Sequence, residues 1–169
     1  IQLFPHQLHA AERAAAADPV RWLLADEVGL GKTIEACLVL SRLLRTGRAE
    51  RCLVVAPETL TVQWLGELWR KYHQVFVLLD EARLADVARD HGPDFNPFDV
   101  HRRAVIALET LVARPQLTAR AVEAAAHAWA CGPSRLNERG CVFIWSEVGQ
   151  SEAARARTSS SMAGVSRPV

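Results

Sequence analysis

At 169 residues the chain has the size of one ordinary domain. Half of it is hydrophobic and 23% is charged, enough apolar material for a core and too much for a chain disordered throughout. The net charge is only +1, which excludes a domain that coats nucleic acid by bulk charge, although a local basic groove stays open.

All the basic residues except Lys32 and Lys71 are arginine, and alanine is heavily used. That pairing reads as high-GC, bacterial codon usage, and it makes Lys32 a rare residue type kept for a reason. No run of 18 apolar residues occurs, so no membrane span is expected. Ile1 to His6 lacks the basic and apolar regions of a signal peptide, which predicts a cytoplasmic location. Opening on Ile1 suggests a start inside a longer reading frame. Cys37, Cys52, Cys131 and Cys141 show no C-x-x-C spacing, so free thiols are expected rather than a zinc site or a disulfide frame.

In chain order, Pro5 opens a helix that runs through an alanine-rich stretch to residue 17 and stops before Pro19. Residues 20–25, Val-Arg-Trp-Leu-Leu-Ala, read as a short buried strand. After a glycine-containing loop, residues 33–45 form a helix with Ile34, Cys37, Leu38, Ser41 and Leu44 on one face, stopped by Gly47. Residues 52–56 are an apolar run closed by Pro57, as expected of a strand buried in a parallel sheet. Leu60, Trp64, Leu68 and Tyr72 line one side of the helix that follows. Residues 75–79 read as a strand, 81–90 as a helix, 91–99 as a loop, 104–108 as a strand and 115–130 as a helix. Strands alternating with helices predict an α/β domain on a parallel sheet. Beyond 131 the periodicity fails except at 141–145, and the last twenty residues read as a flexible Ser-, Ala- and Arg-rich tail.

The loop from Asp26 through Glu27, Val28, Gly29, Leu30 and Gly31 to Lys32 and Thr33 carries the chemistry. A strand leading in and a helix leading out is the setting of a phosphate-binding loop. Gly29 and Gly31 allow positive φ, so that backbone N–H groups can curl around an anion, and the helix adds its N-terminal partial charge. Lys32 is expected to reach the β- and γ-phosphates of ATP, and the Thr33 hydroxyl to ligate Mg²⁺. Asp26 stands where the strict motif has its first glycine.

Residues 25–36, Ala-Asp-Glu-Val-Gly-Leu-Gly-Lys-Thr-Ile-Glu-Ala, resemble motif I of the Swi/Snf-type superfamily II ATPases. The Glu27-Val28 variant is similar to the bacterial RNA polymerase-associated, RapA-like branch. Three further segments follow in the family's order. Residues 3–8 resemble the upstream motif whose glutamine, here Gln7, reads the adenine edge. Pro57-Glu58-Thr59-Leu60 with Gln63-Trp64 resembles motif Ia, which lines the nucleic-acid groove. Asn96-Pro97-Phe98-Asp99 resembles the approach to motif Ib. The resemblance covers about residues 1–125. It implies a P-loop NTPase fold of the RecA-like kind, a three-layer parallel sheet with helices on both faces, here incomplete. Residues 1–130 would form the N-terminal ATP-binding lobe and 131–169 an atypical tail. The implied cofactors are ATP and Mg²⁺, and the implied partners are double-stranded DNA and RNA polymerase, with no membrane.

Plainer readings stand beside these. Gln7 could be a solvated helix-end residue, Trp64 core rather than a stacking platform for bases, His6 and His9 ordinary surface histidines, Asn96-Pro97 a turn, and Arg102-Arg103 a solvated pair. The family's Asp-Glu-x-His motif, which holds Mg²⁺ and orients the attacking water, occurs nowhere after residue 110. The second lobe with its arginine finger is also missing, a loss of about 10³–10⁵ in rate by itself. The expectation is therefore a truncated or frame-shifted first lobe that binds nucleotide without efficient hydrolysis. The alternative is a divergent domain in which residues 141–145 supply a further strand.

Overall fold

The computed structural model describes residues 4–17, 23–24, 31–130 and 140–145. Helix α1 (Pro5–Ala16) is followed by α2 (Lys32–Arg45), β1 (Ala49–Ala56), α3 (Glu58–Tyr72), β2 (Val77–Leu78) and α4 (Glu81–His91). A short α5 (Pro97–Val100), β3 (Arg103–Ala107), α6 (Leu108–Ala113), α7 (Pro115–Ala130) and β4 (Gly140–Trp145) complete the described elements.

The described strands form one sheet in the order β2-β3-β1-β4, with every pairing parallel. Parallel strands are covered on both faces, and β1 shows this by strict alternation. Leu53 and Val55 join Ala104 and Ile106 in a core under α4, α5, α6 and α7. Cys52, Val54 and Ala56 join Val105 in a second core with Cys37 and Leu40 of α2 and Trp64 and Leu68 of α3. The three-layer arrangement expected from the sequence is the observed one.

Most elements fall where the sequence puts them, with four differences. Of the expected strand at 20–25, residues 20–22 and 25 lie outside the described residues. Leu23 and Leu24 belong to no strand, and Leu23 is 85% exposed.

The second difference concerns residues 140–145. They pair with β1 from Cys52↔Val142 to Val55↔Trp145, the further strand that the alternative reading of 141–145 expects. An apolar run finds its backbone partners on the open edge of a buried strand. Residues 131–139 and 146–169 lie outside the described residues.

Third, the buried residues of α2 are Glu35, Cys37, Leu40 and Leu43, a stripe displaced from the one expected. The helix is covered by α1 on one side and by the sheet on the other, so Ile34, Leu38, Ser41 and Leu44 are all half-buried. Fourth, a short helix α5 overlaps the loop expected at 91–99, and α6 begins at Leu108, the last residue of the strand expected at 104–108. Asn96 starts α5 by accepting from Phe98 N at 3.0 Å, and its Nδ2 donates to Arg120 O at 2.8 Å, tying α5 to α7. Asp99 pairs with Arg51 of β1 at 3.0 Å.

Trp64 and Trp69 of the same helix separate core from surface. Trp64 is 3% exposed and Trp69 is 58% exposed. Trp64→Ala is expected to cost about 3–5 kcal/mol, and Trp69→Ala to stay within about 0.5 kcal/mol. Urea midpoints at unchanged slope would measure both.

Candidate nucleotide-binding site

Asp26, Glu27, Val28, Gly29 and Leu30 of the phosphate loop lie outside the described residues. The loop's exit is described. Gly31 caps α2 in the left-handed conformation, φ 89° and ψ 32°, and its carbonyl accepts from Ile34 N at 2.8 Å and Glu35 N at 3.1 Å. A β-branched or bulky residue would be strained there. No side chain caps this N-terminus among the described residues. Lys32 and Thr33 are the first two residues of α2, at the positive end of its dipole.

The space above Gly31 is taken by Gln7. A Cβ on Gly31 would lie 2.5 Å from Gln7 Nε2 and 3.5 Å from Ile34 Cδ1. Gln7 is 2% exposed, so the solvated helix-end reading is overturned. Its Oε1 accepts from Phe4 N at 3.2 Å, closing the first turn of α1 and fixing which end of the amide faces Gly31. Two segments 24 residues apart, chosen for separate motifs, thus meet at one point. Glycine suits this position by its positive φ, and a Cβ there would crowd the Gln7 amide.

Behind α2 sits a buried group of titratable side chains. Glu35, in the first turn, is fully buried, a carboxylate placed where the helix dipole favours negative charge. The Tyr72 hydroxyl donates to Ile34 O at 3.1 Å, fastening the end of α3 to the start of α2. Burial pushes the Cys37 thiol up to about 12, with Glu67 adding to the shift and Lys71 opposing it. The Tyr72 phenol is also raised to about 12, first by burial and then by Cys37 and Glu67. Cys37 and Cys52 are both buried.

The groove candidates separate. Pro57 is half-buried at the start of α3, and Thr59 and Gln63 are exposed one turn apart on that helix. Trp64 is a correction: packed in the core against Leu68 and Val54, it presents no open face to nucleic acid. A residue the motif did not single out, Glu109 of α6, accepts from Glu58 N at 3.0 Å and covers the α3 N-terminus. Arg102 pairs with Glu50, and Arg103 donates to Gln74 Oε1 at 3.0 Å, so both arginines have intramolecular partners. His6 stacks on Phe4, and no metal-binding cluster occurs among the described residues.

The sequence matches the SNF2-related domain over residues 12–110. It is 44% identical over 122 residues to the RNA polymerase-associated protein RapA of Actinobacillus succinogenes, covering 72% of this chain and 13% of that one. RapA of Erwinia tasmaniensis is 47% identical over 107 residues, 63% of this chain and 11% of the relative. A solved Sulfolobus solfataricus SWI2/SNF2 ATPase core in complex with double-stranded DNA shares the fold, with a TM-score of 0.55 at 15% identity, covering 88% of this chain and 32% of that one. The chain belongs to the SNF2-related domain family. It spans about an eighth of the length of the RapA relatives it matches.

Two expected outcomes follow from this geometry. Gly31→Ala should destabilise the protein by more than about 1 kcal/mol through its φ alone, and Gln7→Ala should relieve part of the added crowding. A double-mutant cycle by thermal melting would read that coupling. Cys37 and Tyr72 hold their protons in the folded chain to about pH 12, whereas the unfolded chain releases them near 9.0 and 10.0. The unfolded state then binds fewer protons as pH rises, so stability should fall from about pH 9 to about pH 12. Urea midpoints across that range should show it, with Tyr72→Phe making the decline shallower above about pH 10 while the onset set by Cys37 stays near pH 9.

Proposed function

We propose that this chain is the ATP-binding first lobe of a DNA-dependent, helicase-like ATPase that works beside RNA polymerase in the bacterial cytoplasm. The observation that carries the reading is the meeting of Gln7 with Gly31 immediately before Lys32 and Thr33. Asp26 to Leu30 would supply the remaining turns of the phosphate nest, and Lys32 would bind the β- and γ-phosphates. Gln7 would read the adenine edge. The Thr33 hydroxyl is the donor suited to Mg²⁺, which when bound would neutralise phosphate charge. Pro57, Thr59 and Gln63 would face the nucleic acid.

The association of the RapA relatives with RNA polymerase, and the duplex DNA held by the archaeal ATPase core, support the choice of partners. The sequence of α7 and beyond supports binding without efficient turnover. No aspartate follows Asp99, so the family's second Mg²⁺ carboxylate has no counterpart at the end of a later strand. That same observation favours a second reading, a non-catalytic nucleotide-binding module that docks on polymerase.

ATP-analogue binding with and without Mg²⁺, run beside phosphate release, tests both. The intact chain is expected to bind ATP and to release little phosphate even with duplex DNA. Lys32→Ala removes charge-assisted bonds worth about 1.5–3 kcal/mol each, so affinity should drop at least about tenfold. Unchanged affinity in that variant would defeat the nucleotide reading.

A further inference from the structure

Among the described residues α1 packs on α2 through small side chains. Its buried residues are Gln7, Ala11, Ala14 and Ala15, so three methyl groups and one amide form the buried face. Its large apolar side chains point outward, Phe4 at 54% and Leu8 at 43% exposed. Each alanine methyl gains little from apolar burial, so polar contacts at the helix ends add to what sets its orientation.

The N-terminal contact is Gln7 on Gly31. The C-terminal contact is Arg48. Beyond α2 the chain reverses at Thr46-Gly47, where Gly47 has φ 72°, and Arg48 then reaches back to α1. Its Nη1 donates to Ala15 O and its Nη2 to Ala17 O, the latter at 2.8 Å. These carbonyls stand at the negative end of the α1 dipole, where a cation is favoured. Two carbonyls two residues apart match the rigid fork of a guanidinium, and a lysine ammonium cannot span them in the same way.

We infer that Arg48 is a positioning residue for purine selection: by clasping the last turn of α1 it holds the Gln7 amide in register over Gly31. The inference rests on the nucleotide reading above. The bond from Phe4 N leaves Gln7 with its oxygen and nitrogen in fixed places. A fixed glutamine amide suits adenine, which offers a donor at N6 and an acceptor at N7, and opposes guanine, whose O6 meets the amide oxygen. A tilt of α1 would move Gln7 while leaving Lys32 and Thr33 on α2 undisturbed.

The test uses the full chain with three probes, fluorescent ATP, fluorescent GTP and inorganic triphosphate, on wild type, Gln7→Ala, Arg48→Lys and Arg48→Gln. Wild type should prefer ATP to GTP by roughly fivefold or more. Arg48→Lys and Arg48→Gln should each lose most of the preference that Gln7→Ala loses, while binding triphosphate as wild type does. Arg48 variants that keep the wild-type preference would overturn the inference. So would variants that lose triphosphate binding in step with ATP, since Arg48 would then hold only the fold. A wild type that binds ATP and GTP equally would overturn it while leaving phosphate capture intact. A wild type that binds none of the probes would overturn the nucleotide reading and this inference with it.

Discussion

The left-handed backbone at Gly31, closed over by a buried glutamine amide, is the constraint on which the candidate site depends. It fixes where α2 begins, and therefore where Lys32 and Thr33 stand at the positive end of that helix. It also limits what can lie above them, because a Cβ on Gly31 would force the Gln7 amide to move. One residue without a Cβ thus joins a helix at the N-terminus of the chain to the exit of the phosphate loop. Steric exclusion does most of this, and the bond from Phe4 to Gln7 sets the direction of the amide.

The sheet explains why this junction is held still. The alternation of β1 residues between two cores fastens α2 and α3 to one face and α4 to α7 to the other. The Tyr72 hydroxyl on Ile34 O adds a direct tie from α3 to the first turn of α2. α1 lies outside this frame, packed on α2 through alanines and held at its far end by Arg48. The described part of the site thus has one half carried by α2 and another carried by α1, which packs on α2 and is tied at its far end by Arg48.

Much of this was legible in the sequence, and the gaps have physical causes. Strands buried on both faces read as continuous apolar runs, so β1 and β3 were plain, as were the helices with caps or prolines at their starts. The buried stripe of α2 was misplaced because that helix is covered from two sides, so a single hydrophobic face is the wrong template. Short α5 and α6 carry too few residues for periodicity, and only the Asn96 cap and the continuation of β3 reveal them. Residues 140–145 have strand composition but no flanking rhythm, and their place became clear only from pairing with β1. Motif reading brought Gln7 and Gly31 to the same site but gave no sign of Arg48 or Glu109, whose parts come from distant backbone groups. Trp64 is core, as its helical spacing from Leu60 and Leu68 indicated beside the motif reading.

The most direct measurement is an amide and side-chain NMR titration of the full chain with ATP and Mg²⁺. The account predicts that the backbone amides of Gly31, Lys32 and Thr33 and the side-chain amide of Gln7 shift together along one binding curve. Shifts confined to other surfaces, or a Gln7 amide that stays unmoved while Lys32 and Thr33 respond, would contradict it.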